Sequence, residues 1–401
     1  MPAGPGNPGS PGSPGSPGIA SFTIAADGSY AARLAGTGDA RYPERWTLGG
    51  PEPYAVPLPL EQPEEADSEV LPLADGRVLI HRRVADRHAF ALLYPTGPGT
   101  GELALGTVEA TAGLQLRLLP PSPDGCTAYA LAVEGTSTVV WRVAGGSGVP
   151  EPVARIRGRC SGGVWLDRTG RLLALDREQG GRVKAVAVDL GRDGEVSPLL
   201  QIADTSDDRL LLADPDSGLL LIRSDAPGEQ RLGWGVLGSA LPVRFPECLR
   251  AVGATAVPFA VQPGQALMPE SCAVALRLAA PAAAATAATA EAGTGGDGFG
   301  GTGLGGTCLA GAGFGGTGET LALWRPADRQ VFRLGTPAGW LGGGLWTREG
   351  RLRLPYSTPA VPCGVASLGM PQAAPRPVRI APPPAAPKPV PLQQAPLAAT
   401  A

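Results

Sequence analysis

Ser122-Pro123-Asp124-Gly125 leads into Thr127-Ala-Tyr-Ala-Leu-Ala-Val133, then through Glu134-Gly135 into Thr136-Ser-Thr-Val-Val-Trp-Arg-Val143. Proline presets φ and glycine accepts a positive φ, so Pro-Asp-Gly dictates a tight turn. The residues that follow are β-branched, aromatic or aliphatic, the composition of paired strands. A turn followed by a hairpin is therefore the local unit.

The unit recurs. Turn glycines ahead of short apolar strands stand at Gly28, Gly76, Gly125, Gly170, Gly218, Gly264 and Gly350. The intervals are 48, 49, 45, 48, 46 and 86 residues. The last one holds a foreign insert, Ala279–Thr317, 39 residues of alanine and then glycine; without it the interval is 47. A period in the forties, long enough for four short strands, is the mark of a propeller blade. The expectation is an all-β chain: a seven-bladed β-propeller of four-stranded antiparallel blades. In the sixth unit the turn could instead be Pro269-Glu270-Ser271, ahead of Cys272–Leu278.

Composition bounds the rest. The chain has 401 residues, 43% of them hydrophobic, enough for a sizeable core. Its 59 glycines and 44 prolines fall at the ends, in the insert and at turns. Residues 1–18 carry glycine at every third position from Gly6, too few triplets for a collagen helix, so a disordered tail is expected. Residues 19–380 are expected to form the propeller, with 279–317 a flexible insert in blade six. Residues 381–401 are a proline-rich tail favouring polyproline II. For ring closure, Ser21–Ile24 and Val378–Ile380 are the candidate strands that would complete one blade from both chain ends.

A net charge of -3 gives no field that favours nucleic acid or an anionic membrane. Only Lys184 and Lys388 are lysines among 33 basic residues, a bias of high-GC and bacterial genomes. No signal peptide or bilayer-spanning segment is visible, and six scattered cysteines without a Cys-x-x-Cys spacing fit reduced thiols. The expected setting is the cytoplasm, and the expected state a monomer.

The Ser-Pro-Asp-Gly turn resembles the repeat of TolB-like and WD-repeat-like propellers. Val139-Val-Trp141-Arg142 and Leu321-Ala-Leu-Trp324-Arg325 fall where WD repeats end a strand in Trp-Asp. Arginine replaces that aspartate in both places, and no Gly-His dipeptide precedes any unit. The resemblance, spanning roughly residues 20–380, implies the ring without the hydrogen-bond network of true WD repeats.

Chemistry-bearing residues are sparse. The only histidines, His81 and His88, flank one hairpin turn with Arg82, Arg83 and Arg87. They form either an anion-binding patch or a solvated turn. Asp204, Asp207, Asp208, Asp214 and Asp216 suggest calcium, but no glutamate stands at the required distance, so the turn of unit five explains them better. No phosphate loop and no Gly-x-Ser-x-Gly elbow occurs. No cofactor or metal site is expected. Arg155, Arg157 and Arg159 alternate as on one face of an outer strand. Trp141, Trp165 and Trp324 are read as packing between blades. Trp340 and Trp346, with Phe299 and Phe314 of the insert, form the candidate interaction surface. The leading expectation is a non-enzymatic scaffold for a protein partner. The competing class is a small-ligand binder or lactonase-type hydrolase, with carboxylates from several blades converging on the central channel.

Overall fold

All seven marker glycines adopt a left-handed backbone, with φ between +70° and +83°. The computed structural model, which describes residues 22–111, 113–250, 254–279 and 320–371, places each of them between the first and second strands of one strand group. The aspartate ahead of the glycine fixes several of these turns. Asp75 Oδ1 accepts the Arg77 N–H, Asp124 Oδ1 those of Cys126 and Thr127, and Asp167 Oδ1 those of Arg171 and Leu172.

Seven antiparallel groups follow one another along the described chain. Blade one comprises Thr23–Ile24, Tyr30–Ala35, Tyr42–Thr47 and Tyr54–Pro57; blade two Glu69–Pro72, Val78–Val84, Arg87–Thr96 and Gly99–Glu109. Blade three comprises Gln115–Leu118, Ala128–Glu134, Ser137–Ala144 and Glu151–Arg157; blade four Arg159–Trp165, Leu172–Gln179, Arg182–Asp189 and Glu195–Pro198. Blade five has Asp208–Ala213, Leu219–Ser224 and Arg231–Val236, with its third strand bridged at Trp234 to Arg244. Blade six has Thr255–Val261, Val274–Ala279, Thr320–Trp324 and Val331–Gly335, and blade seven Leu345–Trp346, Arg351–Tyr356 and Gly364–Gly369. The architecture is an all-β propeller. Blades four and five share one sheet through a single parallel bridge, Lys184 to Asp208, reinforced by the Lys184 Nζ–Asp208 Oδ2 ion pair at 2.7 Å.

The core is divided among the seams between blades. Leu79, Phe90 and Leu92 of blade two pack with Ala128 and Ala130 of blade three. Tyr129 of blade three meets Trp165 of blade four at 5.3 Å between ring centroids. Trp234 and Leu219 of blade five meet Trp324 and Leu276 of blade six. Because a blade is covered on both faces, its middle strands read as unbroken apolar runs; Val78 to His81 are all buried. The turns meet as well. The Ala74 N–H donates to the Gly125 carbonyl at 2.8 Å, Gly264 N–H donates to Asp216 at 2.6 Å, and Gln262 Nε2 donates to the Arg348 carbonyl at 3.3 Å.

Two details differ from the sequence expectation, and a third joins two alternatives. Thr23–Ile24 pairs with Ala31–Ala32 inside the first sheet, so the front segment does not join the last blade. Among the described residues the two ends of the ring meet through side chains: Phe22, Trp46 and Leu48 pack with Leu341, Leu345 and Val365, and Arg353 donates to the Leu48 carbonyl at 2.7 Å. Val378–Ile380 lies outside the described residues, as do both tails and residues 280–319; the two flanks of that segment, up to Ala279 and from Thr320, are adjacent paired strands. The arginine run is also split. Arg155 and Arg157 lie on the outer strand of blade three, whereas Gly158 (φ +107°) redirects the chain so that Arg159 opens the inner strand of blade four. In the sixth unit both turn candidates belong to one connection: Gly264 follows the inner strand, and Pro269–Ser271 forms a 3-10 turn before the second.

A Cβ on Gly125 would lie 2.6 Å from the Ala74 Cβ of the neighbouring blade, whereas one on Gly180 (φ +61°) meets nothing within 4 Å. Gly125→Ala is therefore expected to destabilise by about 2–4 kcal/mol, from left-handed strain plus the clash, and Gly180→Ala by about 1 kcal/mol from strain alone. Chemical denaturation of the two variants measures this, and equal losses would show that the turn-to-turn contact contributes nothing.

Candidate functional site

First and second strands meet at the marker glycines on one face of the propeller, the turn face. On the opposite face the inner strands begin, and polar side chains collect there for a structural reason. An inner strand has one unpaired edge, so its backbone groups need partners from elsewhere. Neighbouring blades supply them. Glu69 Oε2 accepts the Leu118 N–H at 2.7 Å, Thr138 Oγ1 accepts that of Cys160 at 2.9 Å, and Asp176 Oδ1 accepts that of Leu210 at 3.0 Å. Arg223 donates from Nη2 to the Ala256 carbonyl at 2.7 Å. Each contact runs from one blade to the inner strand of the next.

The two histidines are brought together. His81 Nε2 and His88 Nδ1 lie 2.9 Å apart, and His81 Nδ1 stands 3.2 Å from Glu69 Oε2. Both imidazoles are buried, His81 stacking on Phe90 at 5.2 Å between centroids. The His88 Nε2 atom is buried without a hydrogen-bond partner among the described residues. Burial, then the neighbouring His81 and Arg83, lowers the His88 pKa. Arg82 is turned away onto Glu64 (2.8 Å) and Glu102 (2.6 Å), while Arg83 and Arg87 are exposed, Arg87 lying 3.8 Å from Asp86. The five residues named from the sequence are thus distributed between a buried histidine pair, a carboxylate-bound arginine and two solvated arginines.

The two tryptophans of the aromatic candidates belong to one cluster at the seam of blades six and seven. Trp346 is buried in the seam of blades six and seven. Trp340 is half-buried, packs against Phe259 at 5.6 Å and donates from Nε1 to the Gly343 carbonyl. Phe299 and Phe314 lie outside the described residues. In the acidic run, Asp214 accepts the Ser217 N–H and hydroxyl, Asp208 is held by Lys184, Ser206 and Ser224, and Asp216 pairs with Arg168. Among the described residues no three His, Cys, Asp or Glu side chains stand close enough to hold a metal ion. Arg142, at the WD aspartate position, pairs with Glu151 on the adjacent strand at 2.8 Å.

Sequence reasoning did not single out Asp176, Arg209 or Arg223. Asp176 interrupts the buried run Leu173-Ala174-Leu175, a signal available in the sequence. Its burial pushes the pKa up to about 6, opposed by the Leu210 N–H and by Arg209, whose Nη1 is 3.8 Å away. Arg209 and Arg223 are direct cross-strand partners in blade five. Arg117 and Arg159 add charge on the same face, from the inner strands of blades three and four.

Two titrations with opposite signs follow. The His88 pKa is depressed in the folded state, so stability is full above the ordinary histidine value and is lost as pH falls through the folded one. The melting temperature should therefore drop between pH 7.5 and 5, and His88→Gln should flatten that drop. The Asp176 pKa is raised, so its stability contribution is present at low pH and lost as pH rises through about 6. Asp176→Asn, which keeps an acceptor for Leu210, should stabilise by about 1–3 kcal/mol at pH 7.5 and by nothing at pH 4. Melting curves across pH check both; a pH-independent gain in Asp176→Asn would contradict the assignment.

No protein-family model and no curated protein matches the chain. Among solved structures, TolB from Acinetobacter baumannii is 12% identical with a TM-score of 0.42, over 85% of this chain and 80% of that one. An oligogalacturonate lyase from Vibrio parahaemolyticus is 9% identical with a TM-score of 0.49, over 87% and 89%. Prolyl oligopeptidase B from Galerina marginata is 11% identical with a TM-score of 0.49, over 86% of this chain and 44% of that one, so the chain spans less than half of the peptidase. The fold assignment rests on the blades themselves.

Proposed function

We propose that this chain is a non-enzymatic propeller that serves as a protein-interaction platform, with the partner docking on the turn face at blades five and six. The observation that carries the reading is Leu267, which is 94% exposed and held at φ +60° in the turn of blade six. A branched side chain in the left-handed region costs about 1–2 kcal/mol, and strain of this kind collects at functional loops. Met268 beside it is 54% exposed, and Leu241, on the loop after the third strand of blade five, is 64% exposed. The two loops are linked by Arg244 and Glu270 at 3.7 Å. Exposed apolar groups rimmed by charge fit a protein contact.

The partner in this reading is a protein, since a net charge of -3 gives no field that favours nucleic acid or an anionic membrane surface. A cytoplasmic setting and a monomeric state accord with this reading, and Cys126, Cys160, Cys248, Cys272 and Cys363 are free thiols. A second reading, a small-ligand binder, is supported by the arginines of the opposite face.

In affinity purification from the native host, Leu267→Asp combined with Met268→Asp is expected to lose a partner that wild type retains, without a change in melting temperature. Recovery of the same proteins by both forms, or of none by wild type, overturns the reading.

A further inference from the structure

On the face opposite the turns, between blades five and six, lies a cavity of about 660 Å³, within the range of small-molecule sites. Its walls carry Arg209, Arg223, Arg231 and Arg250 against Asp207 and Glu229. Several of these charges are already matched. Arg250 pairs with Glu229 at 2.7 Å and Arg231 pairs with Glu247 at 2.9 Å, whereas the Asp207 carboxylate has no ion pair among the described residues and accepts the neutral Val183 N–H at 3.0 Å. Two arginines are left over. Arg223 is half-buried and forms no ion pair among the described residues; its one hydrogen bond there goes to the Ala256 carbonyl. Arg209 has only Asp176 at 3.8 Å and the Ser161 hydroxyl at 3.4 Å.

Their placement sharpens the imbalance. Arg209 and Arg223 stand directly opposite each other on paired strands, where like charges repel. Burial, with Arg209 second, lowers the Arg223 pKa, so the folded protein holds this guanidinium at a cost. Holding Ala256 takes one of the five N–H donors of Arg223. Two guanidiniums facing each other at the wall of a cavity of ligand size, Arg223 without an ion pair among the described residues and Arg209 held only loosely by Asp176, are an arrangement that grips carboxylate or phosphate oxygens through paired N–H bonds.

We infer that the cavity between blades five and six binds a small oxyanion, a carboxylate or phosphate compound, held between Arg209 and Arg223. The bound anion pairs with Arg223, which has no ion pair among the described residues, and it relieves the repulsion between the two arginines. This site lies on the face away from Leu267 and does not depend on the docking of a protein there.

Isothermal titration of the full chain with inorganic phosphate and with citrate, against sodium chloride at matched ionic strength, tests the inference. One saturable site is expected for at least one of the two anions, and which one binds separates phosphate from carboxylate recognition. Arg209→Gln and Arg223→Gln should each weaken binding about tenfold or more, the loss expected from a charge-assisted hydrogen bond. Arg155→Gln, on the outer strand of blade three, should leave it unchanged. Should Arg223→Gln fail to fold, protection of the wild-type arginines from phenylglyoxal, read by mass spectrometry, decides. The bound anion is then expected to shield Arg209 and Arg223 and leave Arg155 reactive. Absence of saturable binding by both anions, or binding undiminished in Arg209→Gln with no shielding, overturns the inference.

Discussion

A four-stranded blade has two faces and cannot bury either by itself; in this chain the neighbouring blade covers each. Among the described residues the buried apolar side chains form seven clusters, each at a seam between consecutive blades, the last joining blade seven to blade one. Stability therefore follows the logic of stacked repeats, in which each unit depends on its neighbours. Closing the series matters most at its ends, where an uncovered blade would expose Trp46 and Leu345 together. Among the described residues, the side chains of Phe22 and Leu48 and the bond from Arg353 join the two ends there.

Blades set this close leave little room at the turns. A Cβ on Gly28 would approach the Leu345 side chain to 3.0 Å, one on Gly76 the Tyr30 ring to 3.0 Å, and one on Gly170 the Ser122 hydroxyl to 2.6 Å. These three, like Gly125, meet two demands at once, a left-handed backbone and close passage of the neighbouring blade, whereas at Gly218 and Gly264 the left-handed backbone alone calls for glycine. That coincidence explains why the fold is legible in the sequence. The period is written in the residue type least free to vary, and the apolar runs after each glycine carry the strands.

The site is less legible, because its geometry depends on which side chains from different blades meet. His81 and His88 could be paired from the sequence because a single hairpin joins them. Asp176 and Leu210 are 34 residues apart and meet only through the seam of blades four and five. Arg159 could not be assigned to an inner strand without knowing that Gly158 turns the chain there. Trp346 lies in a glycine-rich stretch that suggests exposure, yet the seam with blade six buries it. Local pattern decides strand and turn; burial at a seam is decided by the neighbour.

The two faces carry different chemistry for a reason rooted in the strands. At the face where inner strands begin, unpaired backbone groups call for polar side chains, and a neutral or singly functional group is enough for that duty, as Thr138 shows on Cys160. Arg223 exceeds it. A glutamine could reach a carbonyl as an amide donor, without the repulsion from Arg209 opposite and without the desolvation of a guanidinium. The excess charge is thus not explained by the seam it spans. It is explained if the cavity that Arg223 lines holds an anion, because the same guanidinium can then clasp blade six and contact a ligand.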